Sequence, residues 1–336
     1  MRLPSTLVST IVAVLAAVPV FGASLLHAAE PRTGVEFYLL EDEKMDFETA
    51  RSRPLAKLAL RAKPWIAADD IERYDWSAHY VYLKRPVALP VPAGRKHILL
   101  RGTPFVVVAD GERCYLGALW TMISSFAPEG CVPMVNTLGG PLPRFAISLH
   151  AALRPGQLRT DVRSDPRVMK ALRSRGQFHG GLQVSLDKVG VQRKGETSVV
   201  TYTYTLQNMG QDALYVMDPE RIHPAFFHDF QNGVSGRDVD DGLVFRWPNP
   251  RRGDPQPTPW GKLDMAWFSR LDGGKKMTRT ASMDPMPRIF PGKYECHFAF
   301  GSGGYSNAKT EQLQRPDGRL WLGRLTATLT VEVPAE

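Results

Sequence analysis

Four groups of residues in this chain are of types that could do chemistry. The first is Ser124-Ser125, in TMISSFAPEG. A serine nucleophile needs an adjacent base and an oxyanion hole, and the segment is not the G-x-S-x-G elbow that supplies them. His79 and His150 lie in the same half, but no spacing pairs them with serine. After a strand ending in Trp120, two hydroxyls before Pro128 are expected to satisfy free backbone N–H groups in an exit turn. No catalytic residue is assigned.

The second group is HPAFFHDF, with His223, His228 and Asp229 at a spacing that invites a metal. His223 precedes Pro224, and Phe226, Phe227 and Phe230 dominate, so an apolar loop packing onto a sheet is expected instead. The third is RDVDDG, with Asp238, Asp240 and Asp241. It lacks the spaced acids and distant glutamate of a helical calcium loop and is expected to be a solvated turn. No metal and no cofactor are assigned. GSGG at 301–304 precedes Tyr305 rather than a helix with Lys, so it is no phosphate loop.

The fourth group is aromatic. Trp247 and Trp260 frame a Pro-rich loop, WPNPRRGDPQPTPW, Trp321 stands in GRLWLG, and Trp120 ends its strand. Aromatic faces on a β-scaffold can stack sugars, and these four are the candidate ligand-binding residues. The competing fate is burial, common for Trp in sandwiches.

The elements that would position these groups begin after a targeting segment. MRLPST carries Arg2 as its single charge, residues 7–21 are an apolar run, and small residues precede HAAEPR. That is a secretory signal, residues 1–29, cleaved after Ala28 or Ala29. The mature chain is expected to be periplasmic or secreted, with no stable membrane span. Without Arg2, its 42 basic residues become 41 against 34 acidic, a net charge of +7. The basic residues are scattered rather than forming a stripe with interleaved aromatics, which excludes a nucleic-acid partner. Cys114 and Cys131, close in sequence and on neighbouring strands, are expected to form a disulfide in an oxidising compartment. Cys296, in KYECHFAF, is expected to be a buried small hydrophobe.

Residues 30–175 read as an α+β domain. VEFYLL is a strand, residues 46–60 a helical piece, and HYVYLKRPV an alternating strand. Val106–Val108 and Arg113–Trp120 flank Asp110-Gly111, the dipeptide of tight hairpins. Gly117 marks a bulge or close backbone approach. CVPMV and RFAISLH follow, then the helix DPRVMKALRSRG, capped by Asp165 and stopped by Gly176. GQFHGG, residues 176–181, is the expected linker. From 182 to 336, about eight strands at short spacing argue an all-β sandwich. In SVVTYTYTLQN, Val200, Tyr202, Tyr204 and Leu206 share one face and threonines the other. RLTATLTVEV alternates in the same way.

The residues VVTYTYTLQNMGQDALYV and FPGKYECHFAF resemble the immunoglobulin-like sandwiches found as accessory modules in secreted proteins, and their layout is similar to the intracellular proteinase inhibitor family. VEFYLL, a helix, PWIAADDIERYD, a strand and a hairpin loosely resemble the periplasmic head regions of the SecD translocase subunit. The whole chain looks like uncharacterised secreted bacterial proteins of two domains. These likenesses imply architecture and carry no activity or site residue.

The function expected is that of an exported, non-enzymatic binding or accessory protein of the bacterial cell envelope, with an envelope protein or polysaccharide as partner. The alternatives are a polymer-acting hydrolase with an inter-domain site, a carbohydrate-binding protein, and a structural subunit of an envelope assembly.

Overall fold

The computed structural model describes residues 33–90, 101–121, 124–125, 131–137, 141–151, 161–230, 232–240, 242, 244–245, 264–302 and 310–335. The expected signal and the loop bearing Trp247 and Trp260 lie outside the described residues. Thr33–Glu336 forms one compact unit. Among the described residues, no helix is long and apolar enough to cross a membrane.

Among the described residues, the first half has nine strands: β1 (Val35–Leu39), β2 (Ile71–Asp75), β3 (Tyr80–Val87), β4 (Thr103–Ala109), β5 (Glu112–Thr121), β6 (Cys131–Thr137), β7 (Leu142–Ala146), β8 (Ser148–Ala151) and β9 (Phe178–His179). They form two sheets, ordered β1-β4-β5-β6-β8 and β7-β3-β2-β9. PFVVVA reads as a continuous apolar run because β4 is covered on both faces. Phe105, Val107 and Ala109 pack toward the second sheet, while Val106 and Val108 pack beneath Ala50 and Leu58. The β4–β5 hairpin turns at Asp110 (φ 49°) and Gly111 (φ 84°), as both turn positions require. A bulge lies at Cys114, beyond the Ala109–Glu112 and Val108–Arg113 pairs, and a Cβ on Gly117 would meet the Phe105 ring.

Among the described residues, α1 (Phe47–Arg51) and α2 (Pro166–Ser174) accompany these strands. The helical piece expected over 46–60 stops early because Pro54 lacks an N–H and restricts the residue before it; Leu55–Lys57 is only a 3-10 turn. α2 has its expected frame, with the Asp165 side chain accepting from Arg167 N and Gly176 at φ 65°. With helices this short, the chain as a whole is largely β.

The second half adds β10 (Leu182–Lys194), β11 (Thr197–Asn208), β12 (Leu214–Met217), β13 (Gly233–Asp238), β14 (Val244–Phe245), β15 (Phe268–Leu271), β16 (Lys276–Pro287), β17 (Gly292–Gly301), β18 (Gln314–Arg315), β19 (Gly318–Leu320) and β20 (Arg324–Val333), with short helices α3 (Pro224–Asp229) and α4 (Thr310–Leu313). The sheets are β10-β11-β16, β15-β12-β19-β18 and β14-β13-β17-β20. The alternation of β11 has its physical cause here. Val200, Tyr202, Tyr204 and Leu206 are fully buried, and Tyr204 stacks on Phe298 at 4.5 Å between centroids. Thr203 and Thr205 face outward, their hydroxyls within 2.9 and 2.8 Å of Thr280 and Thr278.

The segment expected to be a linker is built into the fold. β9 pairs in parallel with β2, and Gln177 donates from Nε2 to the carbonyls of Ala68 and Ile71. Tyr80 and Tyr82 of β3 belong to the same buried cluster as Leu182, Leu320 and Trp321. The sheet β7-β3-β2-β9 therefore has one face in the core of the first half and the other against the second half.

Candidate functional site

Charged residues collect on that second face. A bulge in β2 between Ile71 and Arg73 lets Ile71 share the first core with Tyr74, and alternation from there turns Arg73 and Asp75 toward the seam. Register then builds a row across three strands. Arg73 is opposite Tyr82, and Tyr82 is opposite Arg144. The Arg73 Cζ sits 4.1 Å from the Tyr82 ring centroid, a cation–π contact worth about 2 kcal/mol when desolvated. From the second half, β19 brings Arg319. All three arginines are buried, at 8%, 7% and 6% exposure for Arg73, Arg144 and Arg319.

Two of the three are committed to protein partners. Arg319 donates from Nη1 to Asp212 Oδ2 at 3.2 Å and lies 3.4 Å from His179 Nδ1. Burial first, then the charges of Arg319 and Arg73, push His179 down to about 4. The ring is therefore neutral near neutral pH and can accept from Arg319. Arg144 is hydrogen-bonded to the Tyr80 hydroxyl. Arg73 and Arg144 both have an Nε sealed from solvent without an acceptor, but Arg144 keeps its bond to Tyr80, whereas none of the described residues accepts a hydrogen bond from any nitrogen of Arg73. An orphaned buried donor costs about 1–3 kcal/mol, more when it is charged. Arg73 lines a shallow surface notch whose enclosed room, about 10 Å³, is that of about one water, and whose other walls are Glu72, Tyr82, Leu83, Pro143, Arg144, Leu313, Gln314 and Arg319.

Behind the notch, Asp75 is 1% exposed. It accepts from Ser77 Oγ at 2.8 Å and Ala78 N at 3.4 Å. Burial raises its carboxyl above the ordinary value, against the pull of Ser77 and Arg319. Gly181 closes this corner at φ 72°, and a Cβ there would overlap Asp75 Oδ1 and Ser77 Oγ. Gly181→Ala is expected to cost about 1–3 kcal/mol from positive-φ strain and overpacking. Urea denaturation checks it, and a change below a few tenths of a kcal/mol would remove the corner from the account.

A second polar cluster lies on the other face of the sheet. His79 is 4% exposed and adopts φ 47°. Its Nδ1 is 3.0 Å from Tyr74 Oη, and its Nε2 lies 3.5 Å from Ser164 Oγ and 3.7 Å from Asp161 Oδ2. Asp161 is gripped by Arg163 through two bonds at 2.9 and 2.7 Å. In a serine triad the carboxylate holds Nδ1 and the serine meets Nε2. Here the acid and the serine share Nε2 and a tyrosine holds Nδ1, so this is a buried hydrogen-bonded post under α2 rather than a nucleophile site.

The residues singled out from sequence fall elsewhere. Trp120 (5% exposed) packs with Ala118, Val132 and Met134. Trp321 (2%) stacks on Phe300 at 5.8 Å. Neither presents a ring face to a ligand, so the stacking role expected for both is corrected to core packing, which indole area favours. Trp247 and Trp260 lie outside the described residues. Cys114 and Cys131 stand on neighbouring strands, paired in parallel. Cys114 is a free thiol, and the Cys131 side chain is outside the described set. Cys296 is fully buried, and burial pushes its thiol up to about 12.

Ser124 donates its N–H to Thr121 O at 3.1 Å, a turn off β5. HPAFFHDF is a short helix, α3, rather than a loop. It buries Phe227, His228 and Phe230 and places His228 Nε2 3.2 Å from Tyr202 Oη. Asp238 accepts from Asp240 N in a local turn.

Sequence reasoning missed Arg73, Arg144 and Arg319. The available signal was a charge at alternate positions of buried strands, as in IERYD and LPRFA. The chain matches no protein-family model and no curated protein.

Proposed function

We propose that the chain is an exported, non-enzymatic binding or accessory protein of the cell envelope, and that it holds its partner at the seam notch. One observation carries the reading: Arg73 is buried, stacked on Tyr82 and part of the lining of a surface notch, with no acceptor among the described residues. A charge kept in that state is stabilised when a ligand supplies the missing acceptor. The N-terminal signal layout supports export to the periplasm or beyond. The alternating strands of residues 182–336 support an immunoglobulin-like sandwich as the module that presents Arg319, Leu313 and Gln314 to the notch. The first half is its partner wall.

Co-sedimentation with isolated envelopes tests this. The wild-type protein is expected to pellet with them, and Arg73→Gln, checked to be folded by a cooperative melting transition, to bind at least tenfold more weakly. Equal pelleting of the two proteins, or none by either, would remove the notch from the function.

A further inference from the structure

The chemistry of the notch narrows what it takes. We propose that it binds a single carboxylate, carried on the acidic side chain of a protein partner, with Arg73 as the anchor. This rests on the reading of the seam as a binding site.

Four observations point the same way. Tyr82 packs against the Arg73 guanidinium and Nε is sealed, so a ligand must approach the terminal nitrogens. That edge of a guanidinium matches two coplanar oxygens. Arg144 and Arg319 line the same notch, already tied to Tyr80 and to Asp212. They supply field without needing the ligand as a partner.

Glu72 also lines the notch. With Asp212 on Arg319 and Glu72 on the wall, three guanidiniums face two carboxylates, so the notch keeps one net positive charge, which a monoanion neutralises and a phosphate dianion oversupplies. Finally, Leu83, Pro143 and Leu313 form apolar walls. They suit the methylenes of an acidic side chain better than a sugar ring, whose hydroxyls would lose water against them.

The test uses the mature protein and three probes at fixed ionic strength: propionate, glucuronate and inorganic phosphate. The readout is the Arg73 side-chain Nε–Hε resonance, assigned by its loss in Arg73→Gln. Propionate is expected to shift it saturably, with a Kd of about a millimolar, the scale for so small a ligand. Glucuronate and phosphate are expected to bind at least fivefold more weakly. Arg73→Lys keeps the charge but not the fork and is expected to lose about tenfold for propionate, read in both proteins from the backbone amide shift of Tyr82, across the strand from position 73. If Arg73→Gln does not fold, Arg73→Lys carries the test.

Tighter binding of phosphate or glucuronate overturns the assignment, as does no saturable shift with propionate. If propionate fails while wild-type protein still pellets with envelopes and Arg73→Gln does not, the carboxylate inference falls alone. If that envelope difference is also absent, the binding reading falls with it.

Discussion

Lowering the pH from 6.5 to 4.5 is expected to remove several kcal/mol of folding stability before most carboxylates titrate. Three imidazoles are responsible. Burial pushes His228 from its ordinary 6.5 down to about 4. Burial and the Arg163 charge push His79 down to about 3, against the pull of Asp161. His179 is held near about 4 in the seam. Each is neutral in the fold and would protonate in the unfolded chain below 6.5. Over that window the unfolded state binds more protons, so stability falls as pH falls. The loss begins at the unfolded value and ends at the folded one.

At about 1.4 kcal/mol per unit, His228 alone contributes about 3 kcal/mol by pH 4.5, and His79 adds to it. Asp75, with its raised carboxyl, works in the opposite sense. The measurement is urea denaturation at pH 7, 6, 5 and 4.5 for the wild type and His228→Gln. The variant should show a visibly shallower slope. A flat wild-type profile, or identical slopes, would contradict the burial argument.

Asp218→Ala is expected to cost about 3–5 kcal/mol, the range for breaking a buried ion pair from one side. Asp218 is 1% exposed at the end of β12. It accepts from Arg279 Nε and Nη2, both at 2.8 Å, from Ser269 Oγ, and from Glu220 N at 3.0 Å. Burial alone would raise this carboxyl, but the bonds from Arg279, Ser269 and Glu220 outweigh it and hold it below the usual range.

The residue ties β12 to β15 and β16, strands of two different sheets. Alanine would leave Arg279 with Glu220 at 3.4 Å as its remaining ion-pair partner among the described residues. The double variant Asp218→Leu/Arg279→Met should recover most of the loss, because both desolvated charges are then gone. Chemical denaturation of the three proteins checks this. A single-variant loss under 1 kcal/mol would mean the pair is ornamental.

Much of the local structure was legible because its causes are local. The Asp110-Gly111 turn, the Asp165 cap, the Gly176 stop and the two-faced β11 each follow from a few neighbouring residues. What was not legible depends on residues far apart. The parallel pairing of β5 with β6 has no local code. β9 is two residues long, and its pairing with β2 comes from residues a hundred positions upstream. The notch is harder still. Arg73, Tyr82 and Arg144 meet only through the registers of three strands, and Arg319 arrives from the other half of the chain. Trp120 and Trp321 show the converse difficulty, since the area that lets indole stack a ligand also drives it into a core.

The most direct test of the central claim is release of envelope-bound protein by propionate, with sodium chloride at equal ionic strength as the control. If the seam notch holds the partner through Arg73, propionate should release the protein at concentrations where chloride leaves it bound. Equal release by both salts would mean general charge attraction from a basic chain and would contradict a built site.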